Sequence, residues 1–97
     1  MMRVEFHPDA EWELTEAQAW YRQRSDVAAQ AFALEIDHAL RSITEAPERW
    51  PKMQRGERRF LLARFPYSIL YRIRTDEVFI TAVAHQKRRP GYWRLRR

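Results

Sequence analysis

One stretch rich in turn-forming residues, Pro47–Glu57 (PERWPKMQRGE), lies in the middle of this chain and separates two kinds of hydrophobic pattern. Before it, apolar residues recur at helical spacing, which is typical of amphipathic helices. After it, they alternate with polar residues or form short continuous runs, which is typical of β-strands. Because helices that precede a group of strands are characteristic of α+β folds, the sequence predicts a layer of helices packed on a sheet.

The first half predicts a short strand followed by a helical hairpin. Arg3–Phe6 alternates and is predicted to be a strand, and Pro8 suits the first position of a helix. The apolar face predicted for this helix consists of Ala10, Leu14, Ala17 and Tyr21, broadened by Trp20. Ser25 or Asp26 is predicted to cap a second helix, which ends at Pro47. The apolar stripe predicted for the second helix consists of Ala28, Phe32, Ile36, Ala39, Leu40 and Ile43.

The second half predicts three strands: Arg58–Arg64, Tyr67–Arg74 and Val78–Ala84. Phe65-Pro66 separates the first strand from the second, and Thr75-Asp76-Glu77 is predicted to form a tight hairpin connection from the second strand to the third. The tail, His85–Arg97, carries too many charges for a core strand. We therefore predict one α+β domain over residues 1–97. It consists of an N-terminal strand, an αα-hairpin and a three-stranded antiparallel meander, with the helices packed on one face of an antiparallel sheet.

Charge is distributed unevenly between the two halves. Residues 1–50 contain five arginines and ten acidic residues, whereas residues 51–97 contain thirteen lysines and arginines and three acidic residues. Such asymmetry indicates a polyanionic or acidic protein partner. The residues predicted to form the binding surface come from neighbouring strands and the tail: Arg58, Arg59, Arg64, Arg72, Arg74, Lys87, Arg88, Arg89 and the aromatic Trp93.

Several classes of function are disfavoured by composition. The chain has no cysteine, which excludes disulfides and thiolate metal sites, and His7, His38 and His85 lack the spacing of metal ligands. Two glycines cannot form a phosphate-binding loop or a dinucleotide fingerprint, so we expect neither metal nor cofactor. Met1–Ala10 does not resemble a signal peptide, and no apolar run is long enough to span a membrane. The sequence therefore predicts a cytoplasmic protein.

Metal-independent cleavage of a phosphodiester remains chemically possible. Such cleavage needs a base, an acid and cations for the developing charge. His85, Arg72 and Tyr92 are the candidate catalytic residues, together with the basic run Lys87–Arg89. Structural roles are equally open: His85 as a hydrogen-bonded residue at a strand end, Arg72 as part of a solvated sheet face, and Tyr92 as part of an aromatic lid.

Three blocks in the second half resemble the RelE/ParE superfamily of bacterial type II toxins. They are RRFLLARFPYSILYRI (Arg58–Ile73), DEVFITAVAH (Asp76–His85) and KRRPGYW (Lys87–Trp93), and together with the helical hairpin they extend the resemblance over nearly the whole chain. The resemblance implies a growth-inhibiting toxin of a plasmid-stabilising type, held silent by a cognate antitoxin. The antitoxin's C-terminal segment, often helical and acidic, would wrap the toxin.

The superfamily has two branches with different targets. RelE-like members cleave mRNA on the ribosome, using basic residues and a C-terminal Tyr or His, whereas ParE-like members bind DNA gyrase. Ser68 stands where the RNase branch tends to place its central arginine, although Tyr92 and Lys52 fall near positions that branch uses. The YRI and AVAH segments followed by a basic run are closer to the ParE pattern. The resemblance therefore favours a non-nucleolytic, gyrase-directed toxin over an mRNA endoribonuclease, and both over a non-toxic nucleic-acid-binding module.

Overall fold

The computed structural model describes residues 2–97, which form one four-stranded sheet and two long helices. The elements, in chain order, are β1 (Arg3–Phe6), α1 (Pro8–Arg24), α2 (Asp26–Glu45), a short 3₁₀ turn (Pro47–Arg49), β2 (Arg58–Leu61), β3 (Tyr67–Ile73) and β4 (Glu77–His85). The predicted α+β order is confirmed.

The strands lie in the order β1-β4-β3-β2. Pairing is antiparallel from β2 to β3 and from β3 to β4, as predicted for the meander, but β1 pairs parallel to β4. The prediction of a purely antiparallel sheet is corrected in this respect. The chain between β1 and β4 contains the helical hairpin, β2 and β3, and it is long enough for the crossover that parallel neighbours require. Because β1 pairs only with Glu77–Ile80, the remainder of β4 has an unpaired edge on that side.

The first strand of the meander is shorter than predicted, and the last is longer. β2 ends at Leu61 because the next residues turn around a side chain of α2: the backbone N–H groups of Ala63 and Arg64 both donate to the Glu35 carboxylate. Burial opposes ionisation of Glu35, but the hydrogen bonds from Arg64 and Ala63 outweigh it and lower the pKa of Glu35. β4 runs from Glu77 to His85.

The helices bury the predicted stripes against one face of the sheet. Ala10 and Ala17 of α1 are buried, and Phe32, Ile36, Ala39 and Ile43 of α2 join them. Trp20 does not broaden this face, because its side chain is 49% exposed and stacks under the guanidinium of Arg24, 3.8 Å from the ring centroid. Ser25 joins the two helices: its N–H donates to Tyr21 O, and its Oγ accepts from Ala28 N.

A β-bulge changes which side chains of β4 face the helices. Leu70 pairs with Ala82 and Tyr71 with Ile80, so Thr81 has no partner opposite it on β3. Ile80 lies in the core beneath the helices, whereas Ala82 lies on the other side of the sheet, which we call the outer face. The bulge thereby lets β4, which is buried along most of its length, contribute to two cores.

Candidate functional site

A buried carboxylate from α1 fills the unpaired edge of β4. The Glu13 Oε1 atom accepts hydrogen bonds from Val83 N at 3.0 Å and Arg96 Nη1 at 2.9 Å. Its Oε2 atom accepts from the Tyr92 hydroxyl at 2.7 Å and from Arg96 Nη2 at 3.0 Å. Glu13 is buried, and these four donors satisfy both of its oxygens.

Arg96 completes the same edge from the opposite end of the chain. Besides its bidentate pairing with Glu13, its Nη1 atom donates to Thr81 O at 3.1 Å. Glu13 therefore accepts the backbone N–H of Val83, and Arg96 donates to the backbone carbonyl of Thr81. These are two groups of β4 that β1 is too short to reach. We call Glu13, Tyr92 and Arg96 the clasp, because these three residues fasten the C-terminal tail to α1 and β4.

The tail crosses to the outer face of the sheet, where one tryptophan anchors it. Trp93 is 7% exposed and packs with Leu70, Ala82 and Ala84. The turn before it requires Gly91, whose φ of +83° L-residues rarely adopt, and the Arg94 guanidinium occupies the space that a Cβ would need. The tail is therefore an ordered part of the fold, and the clasp and the Trp93 anchor hold it from two sides.

The three candidate catalytic residues lie in two different places. His85 and Tyr92 line one groove on the helix side of the sheet, whereas Arg72 lines a separate cavity with Lys52 and Arg58. Arg72 donates through Nη2 to the carbonyl of Arg96. His85 accepts the Lys87 N–H on its Nδ1 atom at 3.0 Å and places its ring edge-on to Tyr67. The RNase assignment of these residues stays a prediction.

The electrostatic setting of Tyr92 keeps its hydroxyl protonated. Burial, the hydrogen bond to Glu13 and the negative charge of that carboxylate together raise the pKa of Tyr92 well above its ordinary value. Arg88 stacks on the Tyr92 ring, with its guanidinium carbon 3.8 Å from the centroid. Tyr92 is therefore held as a hydrogen-bond donor to Glu13, and its phenolate form is disfavoured.

Most arginines of the predicted binding surface are engaged within the protein. Arg58 donates to the carbonyls of Glu48 and Trp50, and Arg64 pairs with Glu35. Three further contacts are Arg74 with Glu77, Arg72 with the Arg96 carbonyl, and Arg88 with Tyr92 and, at 3.8 Å, Glu13. These residues stabilise the fold as well as contributing charge.

A second group of cations makes no such contacts. Among residues 2–97, no side-chain hydrogen bond, ion pair or ring stacking engages Arg59, Lys87 or Arg89 of the predicted surface. The same holds for Lys52, Arg55, Arg94 and Arg97 in the loop before β2 and in the tail. We call these seven residues the free cations, because no carboxylate pairs with their charges among residues 2–97.

Two grooves flank the clasp on opposite faces of the sheet. The helix-side groove, of about 390 Å³, runs beside α1, where Trp12 is 62% exposed, and reaches His85 and Arg88. The outer-face groove, of about 290 Å³, lies between β2 and the tail, over Ser68 and Ala84. Exposed aromatic residues beside a concave surface are typical of protein–protein interfaces.

The sequence analysis did not single out the clasp residues Glu13 and Arg96. A signal for Glu13 is present, because it lies three residues after Ala10 and four before Ala17 and therefore falls on the apolar face of α1. A carboxylate in such a stripe needs a buried partner. No comparable signal exists for Arg96, which lies among several arginines in the tail.

Two kinds of site are not found in the part of the chain that the structure describes. No cluster of three or more histidine, aspartate or glutamate side chains is arranged to hold a metal ion within residues 2–97. Neither of the long helices found there is apolar enough to cross a membrane.

The fold is similar to that of a solved toxin–antitoxin protein. A chain of the chromosomal ParDE toxin–antitoxin system from P. aeruginosa superposes with a TM-score of 0.74 and 19% sequence identity, over 88% of this chain and 96% of that one. At this identity the likeness shows the fold alone. Comparison with curated proteins gives no significant match.

The sequence supplies the family. Residues 4–90 match the family model of the ParE toxin of the type II toxin–antitoxin system parDE. The chain therefore belongs to the ParE toxin family, and membership implies an antitoxin partner. The predicted RelE/ParE resemblance, with its preference for the ParE branch, is confirmed. Tyr92, Trp93 and Arg96 lie beyond the matched residues.

Proposed function

We propose that this chain inhibits growth by binding DNA gyrase in the cytoplasm, without cutting RNA, and that a cognate antitoxin neutralises it. Membership of the ParE family supports the toxin role. The observation that best supports a toxin that does not cut RNA is the hydrogen bond that the Tyr92 hydroxyl donates to the buried Glu13 carboxylate. A nuclease of the RelE type would need that hydroxyl for its substrate.

The chemistry of RNA cleavage fits these side chains poorly. A general acid or base works best with a pKa near the operating pH, whereas the pKa of Tyr92 is raised and Arg88 covers its ring. Arg72 lies in another cavity and is engaged by the tail carbonyl. Ser68 lines the outer-face groove and supplies no cation at the position where the RNase branch tends to have an arginine. His85 alone does not make an acid–base pair.

The chemistry of protein binding fits better. The free cations provide long-range attraction for an acidic partner, and the helix-side groove offers the exposed rings of Trp12 and Trp20. Burial of such rings supplies affinity, while the charges supply rate and orientation. Both a target protein and an antitoxin can use surfaces of this kind.

Expression in living cells tests the proposal. We expect growth arrest when the chain is expressed from a tightly controlled promoter, with mRNA 5′ ends unchanged, and the same arrest from His85→Ala, because no step depends on the imidazole. Coexpression of the antitoxin encoded beside this chain should restore growth. Codon-phased cuts in mRNA that disappear in the His85→Ala variant would contradict the proposal and favour the endoribonuclease.

A further inference from the structure

A cavity at one end of the sheet brings together three cations from three parts of the chain. Lys52 comes from the loop before β2, Arg58 from the start of β2, and Arg72 from the end of β3. We call this space, of about 340 Å³, the end cavity, and its lining is completed by Glu48, Gly56 and Ile73. Among residues 2–97, it shares no lining residue with the helix-side groove or the outer-face groove.

Local structure fixes two of the cations side by side. An isolated antiparallel bridge pairs Lys52 with Arg58, so their side chains leave the backbone on the same side. The Arg58 Nη1 atom donates to the carbonyls of Glu48 at 3.2 Å and Trp50 at 2.8 Å, which orients the guanidinium. Both acceptors are neutral carbonyls, so these hydrogen bonds hold Arg58 in place without pairing its charge.

Arg72 supplies a donor that has no acceptor. Its Nη2 atom donates to the carbonyl of Arg96, but its Nε atom is buried and has no hydrogen-bond partner in the described part of the chain, residues 2–97. A buried donor without an acceptor costs free energy. An anionic oxygen beside the guanidinium would satisfy this donor and would leave the contact with Arg96 intact.

The charge of the lining matches a dianion. The three cations face one carboxylate, that of Glu48, so the lining has a formal excess of two positive charges. A phosphate monoester carries a charge of about −1.5 to −2 at pH 7, and its oxygens suit both the planar guanidinium and the ammonium group. The exposed carboxylate of Glu48 suits a hydroxyl group on the organic part of such a ligand.

The size of the end cavity leaves room for that organic part. Its volume of about 340 Å³ falls within the range of about 300–1,000 Å³ that is typical of small-molecule sites. Ile73, whose side chain is 38% exposed, forms an apolar wall. At Gly56 nothing lies within 4 Å of the position that a Cβ would take, so the cavity is open on that side.

The lining disfavours a nucleic acid strand. Single strands bind chiefly by stacking bases on aromatic rings. No aromatic side chain lines the end cavity within residues 2–97, and each internal phosphodiester would bring one negative charge to a lining with an excess of two.

The end cavity is also remote from the candidate acid–base residues. Tyr67 pairs with His85 across the sheet and lies five residues before Arg72 on the same strand. A strand advances about 3.3 Å per residue, so the Cα atoms of Tyr67 and Arg72 are about 16 Å apart. A ligand in the end cavity is therefore bound away from His85 and Tyr92.

We propose that the end cavity binds a small phosphate monoester, with Lys52, Arg58 and Arg72 around the phosphate group and the organic part against Ile73. The site goes beyond the proposed function, because it does not depend on which target the chain inhibits. Inorganic phosphate has the same charge and the same oxygens, so separate titrations with the ester and with the free ion distinguish the two ligands.

Isothermal titration calorimetry of the full chain at constant ionic strength tests the site, with glycerol 3-phosphate and inorganic phosphate as probes. We expect saturable binding of glycerol 3-phosphate, at least about threefold tighter than that of inorganic phosphate. Lys52→Ala should weaken binding of the ester about three- to tenfold, and Arg72→Lys should do the same, because an ammonium group keeps the charge but not the planar fork. Absence of saturation with either probe, or equal affinity for the two, would overturn the proposal.

Arg55→Ala provides the matched control. Arg55 is an exposed free cation three residues after Lys52 in the same loop, but it lines a different cavity. Its replacement should leave the affinity for glycerol 3-phosphate unchanged. An equal loss in Arg55→Ala and Lys52→Ala would reduce the effect to net charge and refute a defined site.

Nuclear magnetic resonance locates the ligand on the parent chain, without any substitution. The Nε–H resonance of Arg72 should shift on saturation with glycerol 3-phosphate, because its donor gains an anionic neighbour. That of Arg24, whose guanidinium stacks on Trp20 of α1, should not move. A bound ester that leaves the Arg72 resonance in place would show that the phosphate group binds elsewhere and would overturn the assignment.

Discussion

Replacement of Phe32 by alanine should cost about 3–5 kcal/mol of folding free energy, because it removes a fully buried ring and leaves a cavity. Phe32 joins α2 to three other parts of the fold: its ring centroid lies 5.0 Å from that of Tyr21, 5.2 Å from Phe65 and 5.5 Å from Tyr67. Aromatic contacts at these distances add to the energy of burial. Small domains have total stabilities of about 5–15 kcal/mol, so a large share would be lost.

Urea unfolding followed by circular dichroism measures this loss. Leu34→Ala is the matched control, since Leu34 lies on the same helix and is 69% exposed. Its replacement should change the free energy of unfolding by no more than about 0.5 kcal/mol. Similar losses in the two variants would show that the α2 stripe is not the core of the fold.

The second large effect is expected at the clasp, where Glu13→Ala should lower the free energy of unfolding by about 2–4 kcal/mol. The change strands the Arg96 guanidinium, whose side chain is 14% exposed, and removes the acceptors of Val83 N and the Tyr92 hydroxyl. Removal of one member of a buried ion pair usually lowers the free energy of unfolding by somewhat more than this. Here the tail can detach and return Arg96 to water, which limits the penalty.

Detachment gives this prediction a second readout. In Glu13→Ala, trypsin should cleave after Arg94 faster than in the parent chain, because the tail opens locally without global unfolding. Glu16→Ala is the control: Glu16 is exposed, lies one turn further along α1 and makes no side-chain hydrogen bond among residues 2–97. It should leave both stability and cleavage unchanged. Unaltered tail cleavage in Glu13→Ala would refute the clasp.

Much of the fold follows from local pattern. The helical stripes depend on spacings within one helix, and Phe32, Ile36, Ala39 and Ile43 lie in the core as predicted. The Ser25 cap likewise depends on residues three or four positions away. Such features are readable because their physical cause lies within one turn of chain.

Other features depend on partners far away in sequence. The parallel pairing of β1 with β4 and the bulge at Thr81 arise from sheet assembly, and the strand segments alone do not encode them. Glu13 meets Val83 and Arg96 only after the whole domain has folded. Its apolar neighbours mark it as unusual, but they do not identify the groups that satisfy it.

Two adjacent residues of the basic surface also show what local sequence cannot predict. Alternation along β2 predicts that Arg58 and Arg59 point to opposite faces. It does not predict that Arg58 is held by the carbonyls of Glu48 and Trp50, whereas Arg59 remains a free cation. Charge clustering therefore predicts a basic surface, and only the tertiary structure separates the arginines that contact other parts of the fold from those whose side chains make no such contact.

The central claim, that this ParE-family chain acts by binding gyrase, is tested most directly by a supercoiling assay with purified gyrase and purified chain. The proposal predicts inhibition that rises with the concentration of the chain, is equal for the parent and His85→Ala, and is relieved by stoichiometric cognate antitoxin. Normal supercoiling at saturating toxin, together with codon-phased cleavage of mRNA on ribosomes, would contradict the claim.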